Sequence, residues 1–450
     1  MGFLDELTAS VGGVSTTPDD LAALATDRSG ASSGSLPLAI VRASTVDDVR
    51  QTLRLAHERR VPVVPRGAGT GLAGGAVAGR GEVVLDVSGL NRILSIDPVD
   101  EVAVVEPGVI TAALDRAAGE LGLRYAPDPA SAEISTIGGN IATNAGGMRC
   151  VKHGVTREAV LGLDVVLADG RLISTGRPTV KGVAGLDLTA LFVGSEGTLG
   201  VVVGATLRLR PLPVHTLTAV AAYDSVLAAA TACSELARAR REPSLLELLD
   251  GATLRVIDRA QGTDFAERGQ ALVIAQADGA AAEAEITAIG EVLGKEATWT
   301  SLAADPASSE ELLFARRKAL PSIERFGRAL IEDICVPRSR LAEAFQGVER
   351  IADARGVEIY SFAHAGDGNL HPIIAYDRTA DRPPEAVRQA GDDVFALALE
   401  LGGTVTGEHG VGLLKRDWLA REAGDDVLDV HARIKSSLDP RGILNPAKGF

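Results

Sequence analysis

P-R-G-A-G-T-G-L-A-G-G-A at Pro65–Ala76 decides how this chain folds. Gly69, Gly71 and Gly74 spell G-x-G-x-x-G, the fingerprint of a dinucleotide-binding βαβ unit. That fingerprint needs a helix opening directly after the glycines. Here A-V-A-G-R-G-E follows at Ala76–Glu82, too short for a crossover helix, and Val83–Val87 already reads as the next strand. A nicotinamide-binding Rossmann unit is therefore excluded. The glycines keep another use. Successive backbone N–H groups in such turns make a nest for phosphate oxygens, with Arg66 beside them. A merely tight turn would not need this density of glycine.

Outward from that loop, Leu38–Arg42 and Val61–Pro65 read as strands. Thr45 and Asp48 form a capping box ahead of a helix running to about Arg60. Val102–Glu106 is a strand and Thr111–Leu121 a helix. A second loop, P-D-P-A-S-A-E-I-S-T-I-G-G-N-I-A-T-N-A-G-G at Pro127–Gly147, carries small residues, hydroxyls and amides with almost no charge. Such a surface suits a flat polar ring and a pyrophosphate that need close backbone hydrogen bonds. Asp169-Gly170 marks a hairpin between Leu161–Leu167 and Leu172–Ser174. Val201–Leu209 is a long β-run stopped by Pro211 and Pro213, which mark a domain boundary. Beyond them strands alternate with helices, predicting an antiparallel sheet covered by helices on one face.

The second half holds the chemistry. Ser361–Ile373 reads S-F-A-H-A-G-D-G-N-L-H-P-I, and Gly402–Gly412 reads G-G-T-V-T-G-E-H-G-V-G. Two neutral imidazoles, His364 and His371, with the Glu408 carboxylate match the ligand set of an open catalytic metal site. His409, next to that carboxylate, has the chemistry of a general base. The surrounding glycines permit positive φ and close backbone approach in a crowded site.

Composition narrows the class. The chain has 450 residues, of which 46% are hydrophobic and only 3% aromatic, so aliphatic side chains must fill the core. A net charge of −15 argues against a nucleic-acid partner, and an anionic substrate must be drawn in by local cations. Cys150, Cys233 and Cys335 form neither a disulfide framework nor a C-x-x-C pair. With no signal peptide and no spanning apolar run, the expected location is cytoplasmic, or peripheral to a membrane through a partner.

The ordered motifs resemble the vanillyl-alcohol-oxidase type of FAD-linked oxidoreductase, and within it the D-2-hydroxyacid dehydrogenases. They are P-R-G-A-G-T-G at Pro65–Gly71, S-T-I-G-G-N at Ser135–Asn140, N-A-G-G at Asn144–Gly147, G-S-E-G-T-L-G at Gly194–Gly200, H-A-G-D-G-N-L-H at His364–His371, G-E-H-G at Gly407–Gly410 and D-P-R-G-I-L-N-P at Asp439–Pro446. The resemblance implies an α+β fold. A two-part, PCMH-type FAD domain would cover 36–213 after an N-terminal helix and link at 1–35. A cap domain with an antiparallel sheet and the metal site would cover 214–420, and 421–450 would return to the flavin. It implies FAD contacts from Pro65, Arg66, Gly67, Ala68, Gly69, Thr70, Gly71, Pro127, Asp128, Ser131, Thr136, Gly138, Gly139, Asn140, Asn144, Gly146, Glu196, Gly200, Val201 and Asn445. The flavin would be held non-covalently.

The same resemblance gives the metal cluster a mechanism. A divalent ion on His364, His371 and Glu408 (zinc first, manganese or iron next) would chelate the α-hydroxyl and carboxylate of a 2-hydroxyacid. His409 would take the hydroxyl proton as hydride leaves C2 for flavin N5. Arg317, in L-F-A-R-R-K at Leu313–Lys318, matches the arginine that grips the carboxylate, and a slip of one would give that role to Arg316. Asn369 would bond the substrate. Where hydroxyglutarate enzymes place a lysine, six residues before the proline of the following strand, this chain has Ile331. An apolar residue there favours a lactate- or glycolate-like monocarboxylate. The alternatives are a dicarboxylate, direct use of oxygen, or a non-catalytic flavin subunit. Lacking a cysteine cluster for iron–sulfur centres, the chain would need an external electron acceptor or a partner redox subunit, and a homodimer is compatible.

Overall fold

Thr45 ends an extended run and starts a helix in the way its sequence predicts. Its Oγ1 accepts from Asp48 N at 3.1 Å, and Asp48 Oδ2 accepts from Thr45 N at 2.9 Å. The helix Val46–Arg59 that follows buries Val49, Leu53 and Ala56. The computed structural model describes residues 2–303 and 306–450. The chain forms two units. One comprises the residues up to Gly147, then Gly154–Leu212 and Glu408–Phe450; the other comprises Met148–His153 and Pro213–Gly407. The chain passes from the first unit to the second between Leu212 and Pro213. It returns at Glu408, and the short helix Cys150–His153 belongs to the second unit.

In the first unit β1 (Val14–Ser15), β2 (Ala39–Arg42), β3 (Val63–Arg66) and β4 (Val83–Asp86) form a sheet in the order β1-β2-β4-β3. β4 runs parallel to both β2 and β3, so the glycine loop is the link between two parallel neighbours and contains no helix. The N-terminal link carries two helices rather than one, Phe3–Ser10 and Pro18–Leu24. Next come β5 (Ile93–Asp97), β6 (Val102–Val105), the two-residue β7 (Leu123–Arg124), β8 (Val160–Val166), β9 (Leu172–Gly176), β10 (Val201–Arg208) and the two-residue β11 (Arg210–Pro211). Five of these make an antiparallel sheet in the order β5-β6-β10-β8-β9, while β7 pairs with β11. The cores over both sheets are almost wholly aliphatic, built from side chains such as Leu53, Leu85, Val105, Leu163 and Leu207.

The second unit is built on β12 (Thr216–Tyr223), β13 (Leu245–Asp250), β14 (Ala271–Asp278), β15 (Trp299–Ala303), β16 (Arg328–Ile331), β17 (Ile334–Cys335), β18 (Glu358–His364) and β19 (Asn369–Tyr376). The order is β15-β12-β14-β13-β18-β19-β16, with β17 also on β19, and every pairing is antiparallel. Helices cover both faces rather than the one expected. Gly251–Gln261 and Pro306–Glu324 pack on one side; Val226–Arg238, Ala282–Leu293, Leu341–Arg355 and Glu385–Glu400 account for the other. The reason is in the strands. All six residues of β13 and seven of the eight in β14 are buried, so neither face could be left to water.

Candidate functional site

The first unit brings the two glycine-bearing loops together. Gly67 lies so close to Thr136 that a Cβ there would collide with its hydroxyl, and Gly138 is pressed against Pro107. Gly69 has φ +70° and leaves no room for a Cβ beside the Arg66 guanidinium. Thr136 caps the helix Ile137–Thr143 by accepting from Gly139 N at 3.3 Å, and Asn144 closes it in the left-handed region at φ 53°. The Asn140 amide donates to Thr111 Oγ1 at 2.7 Å, and Asn144 Oδ1 accepts from Arg157 N at 2.9 Å, so these two amides brace the loop. Gly147 fits against the Asp128 carbonyl. Pro127 and Gly146 are buried, and Ser131 O anchors the turn by accepting from Ile134 and Ser135. Ala68, Thr70 and Gly71 stay at least partly open to solvent.

Three polar groups give this cradle its character. Arg66 is buried, and burial pulls its guanidinium below its ordinary pKa; Nη1 donates to Thr26 O at 2.6 Å, while Nε has no partner among the described residues. Burial likewise pushes the Glu196 carboxyl up, offset in part by Val411 and Gly412, whose N–H groups each donate to it at 2.7 Å. Glu196 itself sits at φ 51° in the G-S-E-G turn that leads through Gly200 to Val201, the first residue of β10. Asn445, buried in the tail, donates from Nδ2 to Gly75 O at 2.9 Å and Glu196 O at 2.7 Å. Its Oδ1 is buried without a partner among the described residues. A buried cation with an unanswered N–H and an orphaned amide oxygen, beside glycines a Cβ would block, fit a pyrophosphate and a polar ring.

The second unit places its polar groups on one face of its sheet, the face under the helices Gly251–Gln261 and Pro306–Glu324. Side chains alternate along strands, so Glu247 shares this face with Leu245 and Leu249. Glu247 pairs with His364 across β13 and β18, and His364 with Asn369 across the next ladder. His371 pairs with Phe362 one step along, and Ile331 with Ile373 beyond it. The tight β18–β19 turn closes through His364 O, which accepts from Asp367 and Gly368. It sets the two histidine rings edge to face, with centroids 5.1 Å apart.

Each histidine has an acidic neighbour that the sequence motifs did not announce. His364 Nδ1 donates to Glu247 Oε1 at 2.7 Å, and His371 Nδ1 lies 3.8 Å from Asp333 Oδ1. Both carboxylates are fully buried. Burial pushes Glu247 up, but His364 and Arg316 beside it overcome that and leave it below the usual range. Asp333 accepts from Asn369 Nδ2 at 2.6 Å, and from Thr406 Oγ1 and Gly407 N at 2.9 Å each. The second hydrogen of the Asn369 amide goes to Ile334 O at 2.9 Å, so what Asn369 can offer a ligand is its oxygen. Gly407 is the last residue of this unit; Glu408 and His409 follow it and open the last segment of the other.

The two neighbouring arginines separate. Arg317 is on the exposed side of the helix Pro306–Glu324. Arg316 turns inward, with its Nε on Glu247 Oε2 and its guanidinium 4.4 Å above the Phe362 ring. The signal that could have found Glu247 was present: a lone carboxylate inside the apolar run L-L-E-L-L-D is costly unless it is paired.

The matches to known families and relatives make this chain an FAD-dependent oxidoreductase. Residues 37–176 match the family description "FAD binding domain", and residues 212–449 match "FAD linked oxidases, C-terminal domain". The chain belongs to the FAD-linked oxidases. It is 42% identical over 423 residues to the glycolate oxidase subunit GlcD of Bacillus subtilis, covering 92% of this chain and 89% of that one. It is 34% identical to a D-lactate dehydrogenase of Archaeoglobus fulgidus, covering 91% and 90%. Among solved structures, p-cresol methylhydroxylase superposes with a TM-score of 0.81 at 19% identity, covering 99% of this chain and 96% of that one, which speaks for the fold. No helix among the described residues is long and apolar enough to cross a membrane.

Proposed function

We propose that this chain is an FAD-dependent, metal-assisted dehydrogenase that oxidises a D-2-hydroxyacid, with a lactate- or glycolate-like monocarboxylate favoured, to the 2-oxoacid. The observation that carries the reading is the pair His364 and His371, buried and each set against a buried carboxylate, in a chain of this family. The names of the relatives, glycolate oxidase subunit and D-lactate dehydrogenase, supply the substrate class. When bound, FAD supplies the hydride acceptor and a divalent cation, zinc first, supplies a Lewis acid.

The chain's own residues do the rest. His364, His371 and Glu408 hold the cation. Fixing Nδ1–H on Glu247 leaves His364 Nε2 with the lone pair that a metal needs. His409 takes the proton of the substrate hydroxyl as the C2 hydride departs, help worth about 10²–10⁴ in rate. The carboxylate grip goes to Arg316 in place of Arg317, because Arg316 is the one on the histidine face. A guanidinium carries five N–H donors, and the bond to Glu247 uses one. Asn369 accepts through its oxygen. Ile331, on the same sheet face as His371, presents an apolar wall where a second carboxylate would want a cation. In vivo the reduced flavin would pass its electrons to an external acceptor or a partner subunit.

The test is anaerobic mixing of the holoprotein with D-lactate, L-lactate, glycolate and D-2-hydroxyglutarate, following loss of the oxidised flavin absorbance. The expected result is bleaching by a D-monocarboxylate that is lost on chelation and slowed at least 100-fold in His409→Ala. Bleaching chiefly by hydroxyglutarate would remove the Ile331 argument and leave the mechanism. Bleaching unaffected by chelation would remove the metal. A holoprotein that none of the four substrates reduces would remove the proposed substrate class.

A further inference from the structure

The strongest unassigned feature is the Glu247 carboxylate. It is fully buried, and it lies between two groups with different tasks in the reading above. Oε1 accepts from His364 Nδ1 and Oε2 accepts from Arg316 Nε. We propose that Glu247 is a positioning residue that ties the metal-holding imidazole and the carboxylate-gripping guanidinium to one fixed anchor. This rests on the metal reading of His364.

The argument is one of donors and acceptors. An ionised carboxylate is acceptor-only on both oxygens, so a single Glu247 side chain satisfies both N–H groups at once. The imidazole is thereby held as the Nδ1–H tautomer, with Nε2 directed away from Glu247. The guanidinium carbon lies 4.4 Å over the Phe362 ring, a cation–π contact, so the group is held from two directions. β13 supplies the anchor from the strand adjacent to β18, so the place of the imidazole relative to Glu247 is a property of the sheet, and Arg316 reaches the same anchor from the helix Pro306–Glu324.

Glutamine cannot do this. If its oxygen faces Arg316, its NH₂ faces His364 Nδ1 and reverses the tautomer, placing hydrogen on Nε2 where the metal needs a lone pair. If its oxygen faces His364, its NH₂ meets the Arg316 N–H donor to donor. Either orientation breaks one of the two functions. Aspartate keeps both acceptors on a shorter stem.

The experiment compares wild type, Glu247→Gln and Glu247→Asp as FAD-loaded full-length proteins. Zinc affinity is read by competition with a chelating dye, and flavin content and thermal midpoint serve as controls for folding. The expected result is a 10–100-fold loss of zinc affinity in Glu247→Gln, the range typical for lost partners of metal ligands. Flavin content should be unchanged and Glu247→Asp should fall between. A nitrogen-detected NMR spectrum of the metal-free wild type, with His364 identified by its loss in His364→Gln, should show the Nδ1–H tautomer. That measurement stands even if Glu247→Gln fails to fold. Wild-type zinc affinity in a folded Glu247→Gln, or an Nε2–H tautomer in the wild type, would overturn the assignment. A wild type that takes up no zinc would overturn the metal reading and this assignment with it. An Nδ1–H tautomer in that case would show that the Glu247–His364 bond was sound and the metal was the error.

Discussion

Asn445 shows how much one side chain near the C-terminus is asked to do. Both of its amide hydrogens are committed to carbonyls, Gly75 O and Glu196 O, from two different parts of the flavin-binding unit. Asn445→Ala leaves two part-buried acceptors without this partner, at up to about 1–3 kcal/mol each. The expected outcome is protein purified with less than half the flavin of wild type, measured by absorbance after heat release. Ile331→Lys is a second test at this scale. It places a cation beside Ile373 on the histidine face and should shift the kcat/KM preference from D-lactate toward D-2-hydroxyglutarate by at least tenfold, measured by steady-state dye reduction. Residue identities were legible unevenly. His364, His371 and Asn369 announce themselves because glycines crowd them. Glu247 and Asp333 are harder to read: the apolar run L-L-E-L-L-D marks Glu247 as an acid in need of a partner, but the partners themselves lie far along the chain, His364 117 residues from Glu247 and Asn369 36 residues from Asp333. Which of Arg316 and Arg317 faces inward likewise depends on the phase of a helix against the sheet, which the dipeptide R-R does not reveal.

At the scale of elements, the β18–β19 hairpin fixes the distance between the two histidines. Its turn depends on Gly368, at φ +86°, where a Cβ would run into the Val336 carbonyl. Gly368→Ala should destabilise the second unit by about 2 kcal/mol or more, read as a lower urea midpoint at unchanged slope. It should also weaken zinc binding, since the turn sets the register Phe362–His371. Strands and caps were the most readable elements. The Thr45–Asp48 box, the Asp169–Gly170 hairpin and the helix-free glycine loop all stand where local chemistry put them. The second layer of helices was not readable in the same way. Continuous burial in β13 and β14 says that both faces are covered, but periodicity alone cannot say by what.

For the whole molecule, the two tryptophans allow the units to be watched separately. Trp299 lies in β15 of the second unit, and Trp418 lies in the helix Arg416–Ala423 of the first. In Trp299→Phe the remaining fluorescence reports the flavin-binding unit; in Trp418→Phe it reports the other. FAD at 100 times its dissociation constant stabilises what it binds by about 2.7 kcal/mol. The Trp418 midpoint in urea should therefore rise on adding FAD, and rise further than the Trp299 midpoint. Equal shifts would show that the two units unfold as one.

The parallel bridge between Val63 and Leu444, with the Asn445 bonds beside it, also sets a schedule for biosynthesis. Gly75 and its partner Asn445 are 370 residues apart, so a ribosome adding about 5–20 residues per second needs on the order of 20–70 s to travel from one to the other. Through that interval the glycine loop exists without the strand-like tail that completes it. The nascent chain can fold its second unit first, and the cradle is complete only once Asn445 has been made and has reached Gly75. Chains cut short before Asn445 would yield a colourless protein.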